Sequence, residues 1–215
     1  YLNSQDSDRP QYNGTSVFDP VICELAYRWY CPENGYILDP FAGGSVRGIV
    51  ASHLGMNYRG VELRAEQVAA NKEQLEKIGK GSGSCEWANG DSLTVDLDQF
   101  GQKFNLLFSC PPYFDLEQYS DDEADLSNFA TYDEFMAAYA KIIERSAEML
   151  VDNSFAVWVI SEIRDEKGNY RNFVGDTINA FEAAGLRYYS ECVYVQSSGS
   201  WALRIGRMFG ASRKI

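Results

Sequence analysis

With 215 residues, 45% of them apolar and 23% charged, the chain is long enough for one domain with a full core. No apolar run approaches the length of a membrane-spanning helix, and a net charge of −12 argues against a broadly basic, phosphate-gripping surface. Five scattered cysteines without a Cys-x-x-Cys pair, and His53 as the one histidine, argue against a zinc centre or a histidine-based triad.

Residues 1–14 are polar and read as a flexible arm, and no signal-peptide pattern precedes Tyr1, which reads as a trimmed start. Asp19-Pro20 is a helix start signal, with Val21, Ile22, Leu25, Ala26 and Trp29 at helical spacing up to Tyr30. Tyr36-Ile37-Leu38-Asp39 reads as a strand, followed by Pro40-Phe41-Ala42-Gly43-Gly44-Ser45 and a helix from Val46 to about Leu54. Glycines let such a turn approach a ligand closely. Neither Gly-Lys-Ser/Thr nor a spaced Gly-x-Gly-x-x-Gly is present, and the acid before the glycines repels a pyrophosphate and suits a cationic amine. A second strand, Asn57 to Leu63, carries Glu62 nineteen residues past Gly43, a position from which an acid accepts hydrogen bonds from ribose hydroxyls. An amphipathic helix (Arg64 to Ile78), a glycine-serine loop (Gly79 to Ser84) and a third strand from Cys85 to Ala88 follow, ending in Asn89-Gly90-Asp91-Ser92.

The fourth strand, Phe104 to Phe108, runs into Ser109-Cys110-Pro111-Pro112-Tyr113-Phe114. Two residues without an N–H end the ladder and leave a rigid turn with an aromatic at its tip. In open α/β sheets that carboxyl edge is where ligands bind. The loop Asp115 to Ala130 is long, and eight acids without a Lys or Arg lie between Asp115 and Glu134, so Tyr119 and the acids read as a lid or a solvated loop. Thr131-Tyr132-Asp133-Glu134 caps a long helix with Phe135, Ala138, Tyr139, Ile142, Ile143 and Leu150 on its buried face. An apolar strand (Phe155 to Ile160), a charged turn (Glu162 to Arg171), a helix (Asn172 to Ala184) and a strand (Arg187 to Gln196) complete the pattern, before a tail with Arg204, Arg207, Arg213 and Lys214. The alternation predicts an α/β, Rossmann-like, mostly parallel sheet with helices on both faces, the last strand missing, shortened or supplied elsewhere.

Cys110-Pro111-Pro112-Tyr113 resembles motif IV of the S-adenosylmethionine-dependent DNA amino-methyltransferases, written Asp/Asn/Ser-Pro-Pro-Tyr/Phe/Trp. Asp39-Pro40-Phe41-Ala42-Gly43-Gly44-Ser45 resembles their motif I, Asp-Pro-Phe-x-Gly-x-Gly, with Ser45 in place of the second glycine and Gly44 one place early. The resemblance covers Ser16 to Ile215, a single class I methyltransferase domain (15–215) with no separate target-recognition domain. It implies methyl transfer to the exocyclic amine of adenine (N6) or cytosine (N4) in DNA, in a phage or prophage restriction-modification setting and in the cytoplasm of a bacterial or phage-infected host cell. Tyr113 would stack the flipped base, and the carbonyls of Cys110 and Pro111 would orient its amine, with Pro112 stiffening the turn. Asp39 would face the cofactor's methionine ammonium and Phe41 the adenine or sulfonium side, with Ala42, Gly43, Gly44 and Ser45 forming the loop. Glu62 would bind the ribose (motif II), Asp91 and Ser92 would meet the adenine amine (motif III), and Phe18 would fall in motif X at the methionine end.

The first position of motif IV is a cysteine here, and a thiol is a weak acceptor. That departure, the acidic charge and the missing recognition domain keep an alternative open: an idle or partner-dependent cofactor-binding subunit of a DNA-modification complex. Cys110 as a nucleophile toward pyrimidine C6 is the other alternative. DNA is the expected partner, target recognition falls to a partner or a further segment, and neither metal nor membrane is expected.

Overall fold

A computed structural model describes residues 17–115 and 119–195 of the chain. Helix α1, Pro20–Tyr30, starts where Asp19 accepts a bond from the Val21 amide (2.8 Å) and Pro20 presets the first helical φ. Its buried stripe is Cys23, Ala26 and Tyr27, while Val21, Leu25 and Trp29 stay exposed. Of the apolar spacing only Ala26 and Ile22 face the core, because Tyr27 is the anchor: its ring lies 5.0 Å from Phe108 and its hydroxyl donates to the Arg47 carbonyl (3.0 Å).

The strands β1 (Tyr36–Asp39), β2 (Asn57–Glu62), β3 (Cys85–Asn89), β4 (Phe104–Ser109) and β5 (Leu150–Trp158) form one parallel sheet in the order β3-β2-β1-β4-β5. The helices α2 (Val46–His53) and α3 (Ala65–Ile78) join α1 on one face, over Ile37, Leu106 and Phe108. On the other face α4 (Tyr132–Glu148) and α5 (Phe173–Ala183) close over a cluster centred on Phe135, Tyr139 and Phe173, beside Leu38, Leu107 and Val61. Burying side chains of that size stabilises the fold by about 1.5–3 kcal/mol each. Thr131 and Glu134 form the expected reciprocal cap of α4, the Glu134 amide donating to the Thr131 hydroxyl (3.2 Å) and the Thr131 amide to Glu134 Oε2 (3.1 Å). The chain leaves β1 toward β2 and β3, then crosses back to β4, so direction reverses between β1 and β4. Clefts at such a reversal, outside the carboxyl ends of the strands, are where open α/β sheets bind ligands.

Two expectations change. The fifth strand begins at Leu150, five residues early, because its polar start, Asp152-Asn153-Ser154, reads as a turn in sequence; Leu150 nevertheless pairs with Phe104. Residues 187–195 form no strand, and Gln196 lies outside the described residues. Alternation makes a strand only where a ladder partner exists; here the segment makes side-chain contacts instead, Tyr189 on Phe155 (5.5 Å) and the Tyr194 hydroxyl on Asp19 (2.6 Å). The acidic loop keeps Tyr119, Asp121, Asp122 and Glu123 exposed, as the solvated reading expects, and is stitched further on. Asp125 is buried and accepts bonds from the Ser127 amide and the Ser120 and Ser127 hydroxyls, around a short 3-10 turn, Leu126–Asn128. The arm 1–14 and the basic tail lie outside the described residues.

Candidate functional site

Four segments converge at the carboxyl edge: the glycine loop after β1, Glu62 at the end of β2, Asp91-Ser92 after β3, and the Pro-Pro turn after β4. Their centre is Asp39, which is fully buried. One carboxylate oxygen accepts from the Ser109 hydroxyl (2.5 Å) and the Phe41 amide (3.1 Å), the other from Arg47 Nε (2.6 Å) and the Tyr58 hydroxyl (2.7 Å). A carboxylate has about four lone-pair sites, so these donors fill it. Asp39 therefore faces into the protein, and an ammonium in the cleft would feel its charge without touching it. Its counter-charge, Arg47, is buried as well. Burial works against the guanidinium's charge, but Asp39 beside it, together with Tyr58 and Cys110, offsets this and the net pKa is raised.

Arg47 also bonds the carbonyls of Phe41 and Ala42, the latter at 2.9 Å. Ser92 donates to the Pro40 carbonyl (2.5 Å) and Asn71 to that of Gly43 (2.7 Å). Every carbonyl from Pro40 to Gly43 is thus turned onto a protein donor. Gly43 takes φ +50°, a left-handed conformation that glycine reaches without steric cost. Gly44 is exposed, and a Cβ built on it would meet nothing within 4 Å, so the loop has open space on that side. Ser45 precedes α2 without a side-chain cap bond. Phe41 turns the other way, into the aromatic cluster with Tyr139 (6.3 Å) and Trp158 (6.0 Å). Ala42 is buried. Phe18 lies over the Arg47 guanidinium at 4.9 Å.

Glu62 accepts from the Gly43 amide (2.9 Å) and the Arg64 amide (3.0 Å), which leaves acceptor capacity for hydroxyls. Burial raises its pKa, partly offset by those bonds and by Arg64. Asp91 accepts from the Leu93 amide (2.8 Å) and steadies the turn after β3, while the Ser92 hydroxyl is spent inward on Pro40.

In the turn, Pro111 is buried, and Cys110, Pro112 and Tyr113 are half-buried. The Tyr113 ring meets Phe173 at 5.9 Å. Burial raises the pKa of its hydroxyl, Cys110 adds to the rise, and hydrogen bonds with Ser161 oppose it. Behind it Trp158 Nε1 donates to the Tyr139 hydroxyl (2.6 Å), which meets Thr177 at 3.1 Å. Tyr58, Arg47, Ser109, Asn71 and Tyr139 are the site residues the sequence reading missed. One signal was present: a strand-end Asp facing a core demands a buried cation, and Arg47 is the arginine one helical turn past the glycines.

Two cavities of about 380 and 350 Å³ lie elsewhere, one lined by Trp29, Asn105 and Val151, the other by Lys72, Leu75 and Trp87. Among the described residues no group of three or more His, Cys, Asp or Glu could hold a metal ion, and no helix is long and apolar enough to cross a membrane.

The CcbJ methyltransferase of Streptomyces caelestis superposes with a TM-score of 0.56 over 80% of this chain and 79% of that one, at 11% identity. The magnesium protoporphyrin IX methyltransferase ChlM of Synechocystis PCC 6803, solved with bound SAM, gives 0.53 over 83% and 74%, at 10% identity. The chain has the Rossmann-like methyltransferase fold. TrmN from Thermus thermophilus gives 0.50 at 13% identity, over 65% of this chain and 37% of that one. No family model matches the chain. A stretch of 45 residues, 21% of the chain, is 42% identical to the Type II methyltransferase M2.LlaDCHI of Lactococcus lactis subsp. cremoris, and spans 17% of that protein.

Proposed function

We propose that the chain binds S-adenosylmethionine at the ends of β1 and β2 and transfers its methyl group to the exocyclic amine of adenine or cytosine in DNA. The observation that carries this reading is the Ser109–Asp39 bond of 2.5 Å, which sets the base of the Pro-Pro-Tyr turn against the base of the glycine loop. A methyl donor on the loop and an amine on the turn would then be neighbours. The likeness to the Type II methyltransferase M2.LlaDCHI over 45 residues supports methyl transfer in a modification setting; cysteines held in no disulfide suit a reducing, cytoplasmic compartment.

The residues present fit the cofactor. Gly43, Gly44 and Ser45 offer an open loop, Glu62 has acceptor capacity for ribose hydroxyls, and Asp91 stands beside them for an amino group. Bound there, the cofactor supplies an electrophilic methyl on a sulfonium. An aromatic exocyclic amine is a poor nucleophile because its lone pair is delocalised into the ring. The carbonyls of Cys110 and Pro111, aimed at its hydrogens, favour a pyramidal nitrogen and offset the positive charge that grows on it. Tyr113 holds the extruded base by stacking. Held this way, the amine would accept the methyl group that the bound cofactor supplies, leaving the cofactor as its neutral thioether, and the surplus proton would pass to water.

The net charge of −12 favours a second reading, in which a basic partner delivers the DNA and this chain alone is idle. Nucleoside mass spectrometry on DNA from cells expressing the chain, beside Tyr113→Ala, tests both. N6-methyladenine or N4-methylcytosine with the wild type alone is the expected result. An unchanged profile, with S-adenosylhomocysteine binding intact by calorimetry, refutes the independent enzyme and leaves the partner-dependent one.

A further inference from the structure

Asp39 receives its donors from four places: its own loop (Phe41), α2 (Arg47), β2 (Tyr58) and β4 (Ser109). Of these, Ser109 alone adjoins the Cys110–Tyr113 turn. Arg47 carries the connection onward, since the same guanidinium that meets Asp39 grips the Phe41 and Ala42 carbonyls. The surroundings give this hub little slack. Tyr27 fixes the backbone of Arg47 from α1, and a Cβ at Gly60 would stand 2.8 Å from both Ala42 Cβ and the Tyr58 ring. Ser109 is itself fully buried, and its carbonyl accepts the Val159 amide (2.9 Å), so strand β5 holds its backbone while its side chain holds Asp39. A shift of the glycine loop is therefore felt at the base of the turn through one carboxylate.

We propose that Ser109 is a positioning residue: its hydroxyl ties the acceptor turn to the glycine loop through Asp39, so that a ligand seated on the loop orders the turn. This rests on the reading that the loop holds S-adenosylmethionine. Linkage makes the effect reciprocal, so an acceptor seated on the turn tightens the loop for the cofactor by the same factor. Ser109 touches neither substrate and acts only through Asp39.

Hydrogen exchange followed by mass spectrometry reads the connection without any acceptor. The full chain is compared with and without saturating S-adenosylhomocysteine, as wild type, Ser109→Ala and Ser109→Thr. In the wild type the ligand protects peptides over residues 41–48 and also those carrying the amides of Cys110, Tyr113 and Phe114. Ser109→Ala keeps the loop protection and loses that of the turn; Ser109→Thr, which retains a hydroxyl, restores it. Turn protection that survives in the alanine variant overturns the proposal. So does a wild type whose loop is protected and whose turn is not, a comparison that stands even where the alanine variant fails to fold. No protection over 41–48 in the wild type refutes the cofactor reading itself, and the tie with it.

Discussion

Replacing Arg47 by Met keeps the stem that packs in the core and removes the charge that Asp39 faces at 2.6 Å. The carboxylate, fully buried, is left with the Phe41 amide and the Tyr58 and Ser109 hydroxyls. Breaking a buried pair from one side costs about 3–5 kcal/mol, because the remaining charge is uncompensated. The carbonyls of Phe41 and Ala42 also lose a donor, at roughly 1–3 kcal/mol each before the loop relaxes. Three surviving donors soften the first cost and loop movement the second, so the expected loss is about 3–5 kcal/mol. Against a total of about 5–15 kcal/mol the variant still folds, in a weakened state. With a slope of about 2 kcal/mol per molar urea, the unfolding midpoint falls by roughly 1.5–2.5 M. The check is urea unfolding by circular dichroism for Arg47→Met, Asp39→Asn and the double variant. Removing both charges costs less than the sum of the singles, by about 2–3 kcal/mol. A single variant within about 1 kcal/mol of wild type, or a strictly additive double, refutes the account of Asp39 as a hub held by one cation.

Gly43 and Gly44 separate backbone from cleft. Gly43→Ala places a Cβ at φ +50° and costs about 1–2 kcal/mol by thermal unfolding, whereas Gly44→Leu meets open space, leaves stability within about 0.5 kcal/mol and lowers S-adenosylhomocysteine affinity at least tenfold by calorimetry. Burial raises the thiol pKa of Cys23 and Cys31 to about 12 and that of Cys85 further. A raised folded value means that the stability these thiols lend is whole below the ordinary thiol range and lost as pH climbs toward 12. The urea midpoint therefore falls between about pH 8 and about pH 11. Native alkylation at about pH 8 reaches the exposed Cys192 and spares Cys23 and Cys31 until the chain unfolds.

What could be read from the sequence was what the backbone dictates locally. Glycines after Asp39 and prolines after Ser109 constrain φ and remove donors whatever surrounds them, so both turns were legible. The same holds for the Thr131–Glu134 cap, a four-residue device. The hub was not legible, because its members are defined by partners far away in the chain. Tyr58 and Ser109 lie nineteen and seventy residues from Asp39, and in sequence Tyr58 reads as an ordinary strand residue and Ser109 as the start of a turn. The roles implied for Asp39 and Ser92 came from a pattern of residue types, and a pattern does not say how many donors a folded neighbourhood has already brought to an oxygen. At Arg187–Gln196 the alternation was real, but a strand is a property of a pair, and over 187–195 the described residues supply no partner.

On the proposed reading, the cysteine that departs from the family pattern follows from that hub. Ser109 has already given its hydroxyl to Asp39, so the next residue stands first in the turn, close enough to Arg47 to affect its charge state. An aspartate at 110 would set a second carboxylate before the Arg47 guanidinium, and two acids sharing one cation each weaken the other's claim. The bond that fixes the glycine loop would then compete with the group meant for the amine. A neutral thiol leaves Arg47 wholly to Asp39. The amine's hydrogens pass instead to the carbonyls of Cys110 and Pro111, which have no rotamer to order and sit on a backbone stiffened by two prolines. In that arrangement the acceptors are set before the base arrives, and the turn adds no acidic charge of its own beside the Asp39 carboxylate that Arg47 neutralises.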